Sequence, residues 1–94
     1  MIRHVSVFTL TPDADLAQIE AGLAAVRDLV PGIIGCAYGK DLGLRTGNGG
    51  YATSFDFADE ATYRAWDTHP EHERVRRELI LPNIAGAWRA QIRI

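Results

Sequence analysis

Apolar and polar positions along this chain fall into six periodic segments. Residues 2–10, Ile-Arg-His-Val-Ser-Val-Phe-Thr-Leu, are rich in β-branched and aromatic residues and predict a strand. One face carries Ile2, His4, Ser6, Phe8 and Leu10, and the other carries Arg3, Val5, Val7 and Thr9. Apolar residues on both faces predict a strand covered on both sides. Thr11-Pro12-Asp13 ends it. Leu16, Ile19, Leu23, Val26 and Val30 then recur at spacings of three and four, which is one apolar helical stripe. Two starts suit this helix: Thr11 as N-cap with Pro12 in the first turn, or Asp15 with Gln18 as a capping box. Pro31-Gly32 closes it.

Residues 33–40 predict a second strand, weakened at Gly35 and Gly39, and 41–50 a glycine-rich loop. Tyr51, Thr53, Phe55 and Phe57 alternate with Ala52, Ser54 and Asp56 in a third strand. Asp59 is placed to cap a helix through Tyr63, Trp66 and Asp67. Pro70 steers His69 away from helical backbone but is welcome in a first turn. The helix is therefore expected to break and restart there, running to about Leu81 with Val75 and Leu79 on its apolar face. Pro82, Asn83 and Gly86 close it. Trp88, Ala90, Ile92 and Ile94 then alternate with Arg89, Gln91 and Arg93 in a last strand. The order β-α-β-β-α-β predicts an α+β, ferredoxin-like fold with a four-stranded antiparallel sheet. One domain spans residues 1–94.

Composition narrows the classes. A chain of 94 residues buries only roughly 60–65% of the surface its unfolded form exposes, so its core is thin and a partner subunit would help it. The net charge is −2 with no basic block, which argues against nucleic acid, since phosphate contacts need clustered cations. No apolar run approaches the roughly 20 residues that span a bilayer, and the first residues lack a cleavable leader pattern. A cytoplasmic protein away from membranes is expected. Cys36 is the only cysteine, which leaves no internal disulfide and no cysteine-based zinc cluster.

Chemistry concentrates on three histidines. His4 lies on a strand among Ile2, Ser6 and Phe8, where a packed core role competes with a pocket role. His72 falls in the first turn of the restarted helix, whose dipole disfavours imidazolium; a neutral ring near pH 7 is the form a general base needs. Its competing reading is a capping or surface residue. His69, before Pro70, is expected to be structural, fixing the turn. His69 and His72 are three apart, but no recognised metal motif surrounds them, so no metal is expected. Tyr38, Tyr51, Tyr63 and Trp66 are candidate pocket aromatics, each also explicable as core. Arg74, Arg76 and Arg77, among Glu71, Glu73 and Glu78, read as a solvated helix face.

Across nearly its whole length the sequence resembles the stress-responsive A/B barrel (Dabb) family. The matching features are Met1-Ile2-Arg3-His4-Val5, Val30-Pro31-Gly32, Gly49-Gly50-Tyr51 and, most specific, His69-Pro70-Glu71-His72. The resemblance implies a homodimer in which two sheets meet face to face to form a dimeric α/β barrel. It also implies, in the enzymes of the family, a pocket between the sheet and its own helices. By motif, His4 and His72 correspond to the pocket histidines of a plant polyketide cyclase in that family. Trp66 stands where that enzyme has an assisting tyrosine, and Thr53 where it has a further histidine.

The function these features imply is a cofactor-independent acid/base enzyme of cyclase, isomerase or lyase type. Its substrate would be small, hydrophobic and oxygenated, such as a polyketide or aromatic. His72 would act as base and His4 would orient or polarise the substrate, with Ser6, Phe8, Thr53, Tyr63 and Trp66 binding it. The alternatives are a ligand-binding or stress-response protein without catalysis, and a cofactor-free monooxygenase or haem-handling relative.

Overall fold

β-Branched and aromatic residues hold Ile2–Leu10 extended as β1. In the computed structural model, which describes all 94 residues, this strand is central to the sheet. The remaining strands are β2 (Ile33–Lys40), β3 (Tyr51–Phe57) and β4 (Ile84–Arg93), in the spatial order β2-β3-β1-β4. Every pairing is antiparallel. Helix α1 (Leu16–Val26) connects β1 to β2. Between β3 and β4 come α2 (Glu60–Asp67), α3 (Pro70–Val75), a π-helical turn (Arg76–Ile80) and a 3₁₀ turn (Leu81–Asn83). This is the ferredoxin-like α+β fold. No helix is long and apolar enough to cross a membrane.

Alternation along the strands sorts the two sheet faces. Ile2, His4, Ser6 and Phe8 are all buried on the helix side, joined there by Tyr51, Thr53, Phe55 and Phe57 of β3. Ile19, Leu23 and Val26 of α1 and Val75 of α3 close the core from above. Gly22 lets α1 approach closely: a Cβ there would sit 3.0 Å from Val75 and 3.2 Å from Ile80.

Three local expectations are corrected. Of the two possible starts for α1, Asp15 is the cap, its carboxylate accepting from the N–H groups of Ala17 and Gln18 at 3.0 and 3.3 Å. Gln18 does not reach back to complete a capping box. Its Oε1 accepts from Asn83 Nδ2 at 3.0 Å, and Asn83 Oδ1 accepts the Asp15 N–H at 2.8 Å. The helix also ends at Val26 rather than Val30. Pro31 disfavours helical backbone before it, and Gly32 turns the chain at φ +98°. The helix after Pro70 does not run on evenly to Leu81 either, since it widens into the π turn at Arg76.

The outer face behaves differently from the inner one. Val7 is 41% exposed, Trp88 64%, Ile92 50% and Ile94 47%. The loop at Gly49 packs beside Val7, and the rest of the stripe is open, so the apolar alternation of β4 faces outward.

One buried group stands out energetically. The Tyr51 hydroxyl is enclosed and has no hydrogen-bond partner. Burial, then the nearby Glu20 and Tyr38, push its pKa up. A buried hydroxyl without a partner destabilises by about 1 kcal/mol or more. Tyr51→Phe is therefore expected to raise stability by about 1 kcal/mol, a gain of roughly 4–8 °C in Tm for a chain of this size. A thermal melt showing a lower Tm would contradict this.

Candidate active site

The restart at Pro70 is built by His69. Its backbone is extended, and its Nδ1 accepts the Glu71 N–H at 3.1 Å, which makes it the N-cap of α3. One turn later His72 points inward, buried. Its Nδ1 lies 2.9 Å from the backbone oxygen of Trp66. A carbonyl can only accept, so Nδ1 carries the proton and donates. In the neutral ring Nε2 is then unprotonated and free to act as a base. That nitrogen sits 3.4 Å from the Arg76 guanidinium. Burial is the main reason the His72 pKa is lowered. The Trp66 carbonyl opposes that shift and Arg76 adds to it.

His4 has the complementary tautomer. The Gln91 amide donates to its Nδ1 at 2.8 Å. Nε2 therefore bears the hydrogen and donates to Ser6 Oγ at 3.2 Å, which leaves the Ser6 hydroxyl proton for another acceptor. Strand register explains the arrangement: Gln91 pairs with His4, and Arg89 with Ser6, across the β1–β4 ladder. Burial pushes the His4 pKa down to about 4, opposed by Asp67, with the cations Arg89 and Arg76 and neighbouring His72 reinforcing the fall. His4 is thus a neutral donor and His72 a neutral acceptor near pH 7.

Both rings line one cavity of about 80 Å³ between sheet and helices. Ser6, Arg76 and Arg89 complete its polar wall. Phe8, Leu23, Ile80 and Ile84 supply apolar surface, with Leu81 at the rim. Drug-sized ligand sites usually measure roughly 300–1,000 Å³, so this cavity suits a molecule of only a few carbon atoms.

The expected site residues divide accordingly. His4, Ser6, Phe8 and His72 come together on the cavity wall. Thr53, Tyr63 and Trp66, expected to bind substrate, do not line it. Thr53 is buried next to Ser6 in the sheet. Tyr63 borders a separate depression with Ile2 and Gln91, its ring 5.4 Å from that of His4. Trp66 is 3% exposed and donates from Nε1 to the Val26 oxygen at 2.9 Å. Its ring centroid lies 4.1 Å from His72 and 5.6 Å from His4. Trp66 therefore backs both imidazoles and fixes the His72 tautomer through its main chain. Tyr38 and Tyr51 are absent from the wall as well.

Two cations escaped the sequence reading. Arg76, whose acidic neighbours in sequence predict a solvated face, reaches Asp67 at 3.1 Å and Glu73 at 2.6 Å and borders the cavity. Its signal was the four-residue spacing from His72, which places both on one helix face. Arg89 was legible only through the register of β4 against β1.

Comparison with known proteins places the chain further. The profile of the Stress responsive A/B Barrel Domain, Dabb, matches residues 2–90. Among curated proteins no sequence matches. A dimeric ferredoxin-like protein of unknown function from Thermobifida fusca YX is similar at TM-score 0.86 and 29% identity, over 99% of this chain and 90% of that one. The hydroxynitrile lyase of Passiflora edulis is similar at TM-score 0.82 and 18% identity, over 99% and 92%. SnoaB, a cofactor-independent oxygenase of Streptomyces nogalater, is similar at TM-score 0.77 and 14% identity, over 99% and 91%. At such identities the last two comparisons establish the fold alone.

Proposed function

This chain belongs to the stress-responsive A/B barrel (Dabb) family, and from that premise we propose that it is a cofactor-independent acid/base enzyme for a small oxygenated substrate. The observation that carries the proposal is the Trp66 carbonyl bond, which leaves His72 Nε2 unprotonated, with Arg76 3.4 Å away, at a cavity whose other imidazole is a hydrogen donor. Two titratable groups with opposite roles are the usual mark of acid/base chemistry. His72 Nε2 would take a proton from a carbon beside a carbonyl, and the C–H electron pair would move onto the carbonyl oxygen. The Ser6 O–H, held by His4, would stabilise that oxygen, and the His72 imidazolium would return the proton to carbon. Isomerisation and reversible addition both begin with such a step. The cavity volume favours short substrates over a folded polyketide chain.

Hydrogen–deuterium exchange at carbon tests this without knowledge of the product. Small ketones, oxo acids and their esters would be incubated with the protein in D₂O and followed by NMR. Exchange above the buffer rate that depends on His72 is expected. Exchange that is equal in wild type and His72→Gln would refute the proposal.

We further propose that the outer sheet face is a homodimer interface. The exposed stripe of Val7, Trp88, Ile92 and Ile94 supports this, since an apolar patch in water is a liability unless covered. The dimeric Thermobifida protein points the same way. Val7→Lys would bury an unpaired ammonium there. It is expected to weaken self-association about a hundredfold, roughly 2.7 kcal/mol. Sedimentation of a wild-type chain that stays monomeric at high micromolar concentration would exclude the interface.

A further inference from the structure

The polar wall of the cavity is cationic and contains no carboxylate. Its charged members are Arg76 and Arg89. The two differ in an informative way. Arg76 already holds two acidic partners, Asp67 and Glu73. Arg89 has no ion pair and no side-chain hydrogen bond, like the exposed Arg45 and Arg77, but unlike them it borders the cavity. It sits opposite Ser6 in the sheet register. A guanidinium offers five donors in a planar fork that matches a carboxylate bidentately.

We propose that Arg89 is the recognition group for a carboxylate, so that the substrate class is a short oxo or hydroxy acid. This rests on the acid/base reading of the same cavity and specifies its substrate. The cavity of about 80 Å³ admits only a short chain beyond the carboxylate. With the carboxylate on Arg89, the register places the neighbouring carbonyl by Ser6 and His4, and His72 and Arg76 face them across the cavity. Bound negative charge favours imidazolium, so the ligand itself would raise the affinity of His72 for the proton it must accept.

The test compares acetoacetate with methyl acetoacetate, its neutral ester, by NMR titration of the wild type, Arg89→Gln and Arg89→Lys. In the wild type at low salt the acid is expected to bind at least tenfold more tightly than the ester and to raise the His72 pKa. Arg89→Gln is expected to erase that preference, and Arg89→Lys to restore part of it. Equal binding of acid and ester, a preference that survives Arg89→Gln, or failure of the acid to bind at tens of millimolar would each overturn the proposal. If His72-dependent exchange on neutral ketones persists alongside such a failure, the acid/base reading stands and the carboxylate assignment alone falls.

Discussion

Proton exchange at carbon is expected to slow by roughly 10²–10⁴-fold in His72→Gln, the usual cost of losing a general base. Gln can still donate to the Trp66 carbonyl from its amide, so the fold should change by no more than about 1 kcal/mol. The loss should therefore appear in turnover rather than in thermal stability. The pH profile carries the second half of the prediction. Burial holds the His72 pKa below the ordinary imidazole value, so the ring is already unprotonated at neutral pH. Activity is then flat near pH 7 and falls only on acidification below the usual histidine range. With a neutral ketone, a rate that climbs through pH 6.5–7.5 would contradict a base with a lowered pKa. His4 stays neutral through the same range, with its pKa at about 4. His4→Asn removes one donor to Ser6, and a loss of about five- to tenfold is expected, one hydrogen bond's worth. A His4 variant as impaired as His72→Gln would exchange the two roles.

Legibility followed the kind of interaction involved. Strand β1, the third strand and the break at His69-Pro70 rest on local chemistry: alternation, β-branching and the steric rule before proline. Such signals lie within a few residues of the feature they cause. The inward face of β1 was likewise readable, because period-two alternation assigns His4, Ser6 and Phe8 to one side. What lay hidden depends on residues distant in sequence. Trp66 reads as a pocket aromatic until its carbonyl is found under His72 and its indole under Val26. Arg89 acquires a role only when β4 is set against β1 in a definite register. The cavity volume depends on how α1 and the π turn close over the sheet, which no pattern along the chain encodes. The π turn itself is invisible to a helical period, because Val75, Leu79 and Ile80 satisfy an ordinary stripe almost as well.

Asn83→Ala is expected to cost about 3 kcal/mol and to lower Tm by roughly 10–25 °C. In sequence Asn83 only closes a helix; in the fold it joins three elements. It is 5% exposed. Its Oδ1 accepts the Asp15 N–H at 2.8 Å, and its Nδ2 donates to Gln18 Oε1 at 3.0 Å and to the Leu79 carbonyl at 2.8 Å. Its own carbonyl accepts the Thr11 N–H at 3.1 Å. The start of α1, the π turn and the end of β1 are thereby tied at one point. Truncation leaves the Asp15 N–H and the Leu79 carbonyl without these side-chain partners. Each such unsatisfied group costs about 1–3 kcal/mol. Asn83→Asp keeps the acceptor but loses both donors and sets a carboxylate against the Leu79 carbonyl, so it should be no milder than Ala. The π turn carries Arg76 and Ile80 on the cavity wall, so ligand affinity should weaken even at temperatures where Asn83→Ala remains folded. Thermal melts and ligand titrations of the two variants at 15 °C test both parts. A Tm within 2 °C of wild type would show that the tie contributes little and that α1 is held by its apolar face alone.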